Sequence, residues 1–74
     1  MTNLLLPDPE QIAVYRMMLE ALFAEIPANG TMQQMNREIA LDEIRRGHVT
    51  IARSYARMGG IPFELLYAVE ALIF

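Results

Sequence analysis

The residues of this chain that could move a proton or attack a carbonyl are few and badly placed for it. His48 is its one histidine and Ser54 its one serine. A general base working near neutral pH would have to be His48. On a helix, however, side chains six residues apart point away from each other, and no nucleophile-elbow pattern surrounds Ser54. Glu38, Asp42 and Glu43 gather carboxylates on one stretch of helix. Paired carboxylates do acid–base work only in a cleft that perturbs them, and Arg46 stands four residues after Asp42, so a solvated, ion-paired face is expected. The spacing matches neither a zinc-binding helix nor a calcium loop. Gly59-Gly60 followed by Ile61-Pro62 is chain punctuation, not a phosphate cradle. The sequence therefore predicts no catalytic, metal or cofactor site, and a protein that is not an enzyme.

Binding chemistry is better represented. The segment RRGHVTIARSYAR holds Arg45, Arg46, Arg53 and Arg57 beside His48, with no acid between Ile44 and Met58. Arg46, Arg53 and Arg57 are seven and four residues apart, which puts them on one side of an approximately helical path, although Gly47 could swing Arg46 out of line. A guanidinium is a planar donor fork suited to carboxylate or phosphate. Three readings follow: a solvated face whose arginines meet Glu64, Glu70 or the acidic first segment, a contact for an acidic protein surface, or a contact for nucleic acid. Tyr55 and His48 fall near the edge of such a patch. The methionines Met17, Met18, Met32, Met35 and Met58 would suit either an adaptable groove or gap-filling between short helices.

The elements that must carry these residues are helical. Asp8 can cap a helix with Pro9 at its first position and Glu10 beside the unpaired amides. Ile12, Tyr15, Leu19, Leu22 and Ile26 then recur at helical spacing, with Arg16 and Glu20 on the solvated side, until Pro27. Thr31 and Gln34 have the form of a capping box for a second helix. Its apolar face is Met32, Met35, Ile39, Ala40 and Ile44, and its wet face is Arg37, Glu38, Asp42 and Glu43. Gly47 permits two readings. As a left-handed cap it ends this helix and leaves Thr50 to cap a third; as an interior residue it costs roughly 1 kcal/mol against alanine in one long helix. Glycine, His-Val and threonine each weaken a helix interior, which favours the break. Gly59-Gly60 stops the chain again, and Pro62 sits in the first turn of a last helix whose only charges are Glu64 and Glu70. The expected helices lie near 9–26, 32–46, 51–58 and 62–73, in a single all-α domain: a compact bundle of three to four short helices.

Composition sets the context. The chain has 74 residues and no cysteine, so a core this small is held by packing alone, or by association as well. Its hydrophobic fraction of 54% exceeds the usual 45–50% of soluble domains, which implies apolar surface left for a second chain. Six arginines and no lysines against nine acids give a net charge of -3, which is no general nucleic-acid coat. The opening MTNLLLPDPE has no basic residue before its leucines, so no targeting segment is expected. The run Leu65–Val69 is far too short to span a bilayer, and a cytoplasmic location without membrane contact is the expectation.

The stretch IARSYARMGGIPFELLYAVEAL, residues 51–72, resembles the helix-turn-helix of DNA-binding regulators: Ala56 is followed four residues later by Gly60, with Ile61, Leu66 and Val69 at apolar positions. The resemblance covers about a third of the chain. It implies a recognition helix offering Phe63, Glu64, Tyr67 and Ala68, which lacks the polar side chains that read base edges.

The function expected from these residues is a non-enzymatic interaction protein: a small adaptor or inhibitor that binds an acidic protein surface through Arg45, Arg46, His48, Arg53, Tyr55 and Arg57. The alternative is a nucleic-acid-binding regulator of helix-turn-helix type. A homodimer is expected through the last helix, anchored by Phe63, Leu66, Val69, Leu72, Ile73 and Phe74.

Overall fold

The computed structural model describes residues 7–74. Four helices follow in order: α1 (Pro9–Glu25), α2 (Thr31–Arg45), α3 (Val49–Met58) and α4 (Phe63–Ile73). There is no strand among the described residues. Residues 1–6, part of the opening stretch in which no targeting segment is expected, lie outside them. No helix of the described chain is long and apolar enough to cross a membrane.

Local chemistry explains the helix ends, though not always as the sequence suggests. Asp8 caps α1: its side chain accepts from Glu10 N, while Gln11 Oε1 reaches back to Asp8 N at 3.0 Å. The expected box at Thr31 does not form. Gly30, at φ 93°, is the N-cap of α2, and Thr31 is already helical. Gly47 breaks the chain. Its φ of 86° is left-handed, Gly47 N donates to Ile44 O at 2.9 Å, and His48 N donates to Glu43 O at 3.0 Å. Those two bonds are the Schellman closure of a helix C-terminus. Because His48 itself caps α3, that helix begins at Val49 and Thr50 is not a cap. The same closure recurs after α3, where Gly60 N donates to Arg57 O and Ile61 N to Ala56 O. Pro62 is the N-cap of α4, one position earlier in role than its first turn.

The helices pack up-down-up-down. α2 packs most extensively on α3, and α1 bridges α2 and α4. Gln11 Nε2 donates to Ile73 O, which sets α1 antiparallel to α4. The core is Tyr15, Leu19, Ala40, Ile44, Ala52, Ala56, Ile61, Leu66 and Val69. The alanines at its α2–α3 interface let those backbones approach closely.

Arg37 corrects the sequence reading most sharply. Expected on the wet face of α2, it is only 3% exposed. Its Nε donates to Gly59 O at 2.6 Å and its Nη1 to Phe23 O at 3.0 Å, with the guanidinium 4.9 Å over the Phe23 ring. One cation thus meets the negative ends of two helices, α1 and α3, where carbonyls lack partners. Gly59 is required by this approach, since a Cβ there would stand 2.6 Å from Arg37 Cγ. Burial lowers the Arg37 guanidinium from its ordinary value. Arg16, expected on the solvated side of α1, is half-buried.

Candidate interaction surfaces

The arginine cluster does not form one face. Arg53 turns to α4, where it grips Glu70 with two prongs: Nε lies 2.9 Å from Oε2 and Nη2 lies 2.7 Å from Oε1. Tyr15 donates its hydroxyl to the same Oε2. The pair is mostly enclosed, and its hydrogen bond raises the Arg53 guanidinium above its ordinary value. Burial, reinforced by Glu70, pushes the Tyr15 hydroxyl well above the usual range. These three residues join α1, α3 and α4. Arg53 therefore holds the fold together and is not offered to a partner.

Arg57 is exposed, with its guanidinium 5.1 Å over Phe63, whose ring stacks on Tyr67 at 5.6 Å. Arg53 lies 5.0 Å over Tyr67. Arg45 and Arg46 belong to the end of α2 and share Asp42, at 3.5 and 3.0 Å. His48 Nδ1 meets Glu43 Oε1 at 2.7 Å. The acids that could be drawn as a cluster are thus engaged with neighbouring side chains. Ser54 Oγ donates to Thr50 O and makes no pair with His48. Tyr55 is half-buried on the side of α3 away from Arg53, so it is not part of an arginine patch. Among the described residues no group of three or more His, Asp or Glu side chains could hold a metal ion.

The proposed dimer anchors also divide. Leu66 and Val69 lie in the chain's own core, so they cannot anchor a second chain. Ile73 is half-buried against that core, and Phe74 packs edge-on to Tyr15 at 5.8 Å. Phe63 is partly covered by Arg57. Leu72 stands clearest at 79% exposed, and Phe74 keeps 52% of its surface in water.

Apolar surface instead follows two seams on opposite sides of the bundle. Where α1 meets α4, the outward residues are Val14, Met17 and Ala21 on one helix and Leu65, Ala68 and Leu72 on the other. Gln11 fixes this side of α1 against α4, while Tyr67 and Phe63 occupy the other side of α4, facing α3. The charges at the edge of this seam are Glu10, Glu25 and Glu64, all acids. Where α2 meets α3, the outward residues are Met32, Met35 and Ile39 facing Ile51, Tyr55 and Met58. Arg53 and Arg57 look toward α4, so the row Ile51–Tyr55–Met58 lies on the α2 side of α3. Likewise Gln34, Glu38 and Leu41 line a groove of about 310 Å³ with Phe23 and Ala24 of α1, which leaves Met32, Met35 and Ile39 on the α3 side of α2. The five methionines weighed as one groove therefore separate: Met17 goes to the first seam, Met32, Met35 and Met58 to the second, and Met18 packs half-buried against the core.

Periodicity could have shown both seams, because Val14-Met17-Ala21 and Leu65-Ala68-Leu72 are regular helical rows. What it could not show was which of several apolar rows each helix turns inward. This chain matches no protein-family model, no curated protein and no solved structure.

Proposed function

We propose that this chain is a non-enzymatic interaction protein, an adaptor or inhibitor in kind, that pairs with a second copy through the outer side of α1 and α4. The observation that carries the reading is the uncharged seam of Val14, Met17, Ala21, Leu65, Ala68 and Leu72, with Leu72 79% and Met17 65% exposed. Folding alone leaves this surface in water, an unfavourable arrangement that association removes.

A second copy fits for a geometric reason. An isologous interface must be complementary to itself. The row Leu65–Ala68–Leu72 reads nearly the same in both directions, so a two-fold axis near Ala68 sets the small residue on its own copy and each leucine near the other. Two antiparallel helices meeting two more would complete a four-helix layer around that axis. A standard interface takes about 800 Å² per partner, roughly a sixth of this chain's 5020 Å². Two seam helices of 17 and 11 residues are of the right extent.

Sedimentation equilibrium over a micromolar dilution series tests the reading. A reversible monomer–dimer equilibrium is expected, shifted to monomer by Ala68→Glu. A monomer at every concentration contradicts it. The helix-turn-helix alternative gains no support from α4, whose exposed residues include Glu64 and no basic side chain.

A further inference from the structure

Charge is divided unevenly along the chain. Seven acids stand against three arginines from Asp8 to Arg45, and two acids against three arginines from Arg46 to Phe74. One arginine of the acidic part, Arg37, is buried, so the outer surface of that part is more acidic still. The groove between α1 and α2 concentrates this character. Glu20 on α1 and Glu38 on α2 both line it, and both are exposed. Among the described residues no cation pairs with either. Arg16, four residues before Glu20, is half-buried and stays apart, and Glu38 has only the Gln34 amide at 3.3 Å. Half-buried Phe23 and Leu41 give the same groove an apolar lining. A second observation lies in its wall. Arg37 also lines the groove, yet its Nη2 is buried without an acceptor, while Nε and Nη1 are taken by Gly59 O and Phe23 O. A buried donor left unmet is costly, and the two exposed carboxylates do not reach it.

We propose that the α1–α2 groove takes an arginine-bearing segment of another protein, its guanidinium meeting Glu20 and Glu38 while a backbone carbonyl gives Arg37 Nη2 its acceptor. Arginine has the form this requires. Its apolar stem lies along Phe23 and Leu41, and its donor fork suits carboxylates. At about 310 Å³ the groove is near the lower end of those that take small ligands, so it seats a side chain and its backbone and not a whole helix. Charge adds direction: a net charge of -3 draws a cationic segment and holds off an acidic one. This site is separate from the α1–α4 contact, so either can fail without the other.

Two short capped peptides provide the probe, identical except that one carries arginine where the other carries glutamate. Each is titrated into the isotope-labelled full chain at low salt, and amide and side-chain shifts are followed. The arginine peptide is expected to shift Glu20, Phe23, Gln34, Leu41 and the Arg37 side-chain N–H, and the glutamate twin to leave them in place. Glu20→Gln with Glu38→Gln is expected to weaken binding about tenfold or more, with helicity and thermal midpoint unchanged. Glu10→Gln with Glu64→Gln removes the same charge elsewhere and is expected to change binding by less than about twofold. Equal weakening by the two pairs would mean attraction to overall charge and would overturn the site. So would shifts centred on Val14 and Leu65, an Arg37 signal that does not move, equal binding of both peptides, or no binding up to about 10 mM.

Discussion

Arg53 and Glu70 meet through two nearly parallel hydrogen bonds, at 2.9 and 2.7 Å, and tie α3 to α4 from inside the bundle. Their neighbour Arg57 shares the same side of α3 but stays in water. The two arginines therefore differ in what they hold: Arg53 is built into the bundle and Arg57 is not. Arg53→Glu sets two carboxylates face to face in a mostly enclosed site and is expected to cost about 3 kcal/mol or more. Arg57→Glu is expected to change stability by no more than about 0.5 kcal/mol. Urea titration of each variant checks this; equal effects would contradict the assignment.

Tyr15 gives the network a pH signature. Its hydroxyl is held above its ordinary range by burial and by Glu70, so the folded chain keeps a proton that the unfolded chain loses above about pH 10. The stability it contributes is complete below that pH and is lost as pH rises beyond it. Tyr15→Phe is expected to cost about 2 kcal/mol at neutral pH, through the lost bond to a charged acceptor, yet to decline less steeply above pH 10. Urea midpoints at neutral pH and at about pH 10.5 decide it. Parallel declines in the two proteins would exclude Tyr15 as the source.

Arg37 holds the ends of α1 and α3 together. Arg37→Ala leaves Phe23 O and Gly59 O without that donor and is expected to cost about 3 kcal/mol. Arg37→Lys restores charge but not the fork, and should recover only part of the loss. Gly59→Ala drives a methyl into Arg37 Cγ and should destabilise by about 1–3 kcal/mol although its φ of -80° suits any residue. Thermal midpoints of the three variants test this. An unaffected Gly59→Ala would show that Arg37 has room to move.

Gly47 is required for a different reason. Gly47→Ala places a Cβ at φ 86° and is expected to cost about 1–2 kcal/mol, even though nothing crowds the position. Chemical denaturation measures the cost. A stabilised variant would mean that α2 and α3 prefer to join as one helix.

Much of the fold was legible in the sequence because its signals are local. Asp8-Pro9, Pro27, Gly47 and Gly59-Gly60 mark chain direction within a few residues, and the apolar rows fix helix type. The helix-turn-helix likeness has a local cause as well. Ala56, Gly60 and Ile61 are the residues of a Schellman closure with its apolar contact, a feature of helix corners in general. The candidate site was less legible because its partners are distant. Glu70 was among the acids that the sequence offered to the arginines, but nothing near Arg53 singles it out from 17 residues on or shows that the pair would be enclosed, and nothing near Arg37 names the carbonyls of Phe23 and Gly59. Leu66 and Leu72 have the same side chain, yet one is buried and the other 79% exposed. Only packing against α1 tells them apart.

The α1–α4 pairing is best tested by methyl spectra of the labelled chain, recorded on dilution and at two salt concentrations. Pairing through the seam is expected to move the methyl signals of Val14, Met17, Leu65 and Leu72, and to leave those of Ile51 and Met58 in place. Because Glu10, Glu25 and Glu64 are brought nearer their like on association, added salt is expected to strengthen the dimer. Dilution-independent signals at Leu65 and Leu72, or a dimer that salt dissociates, would contradict the pairing.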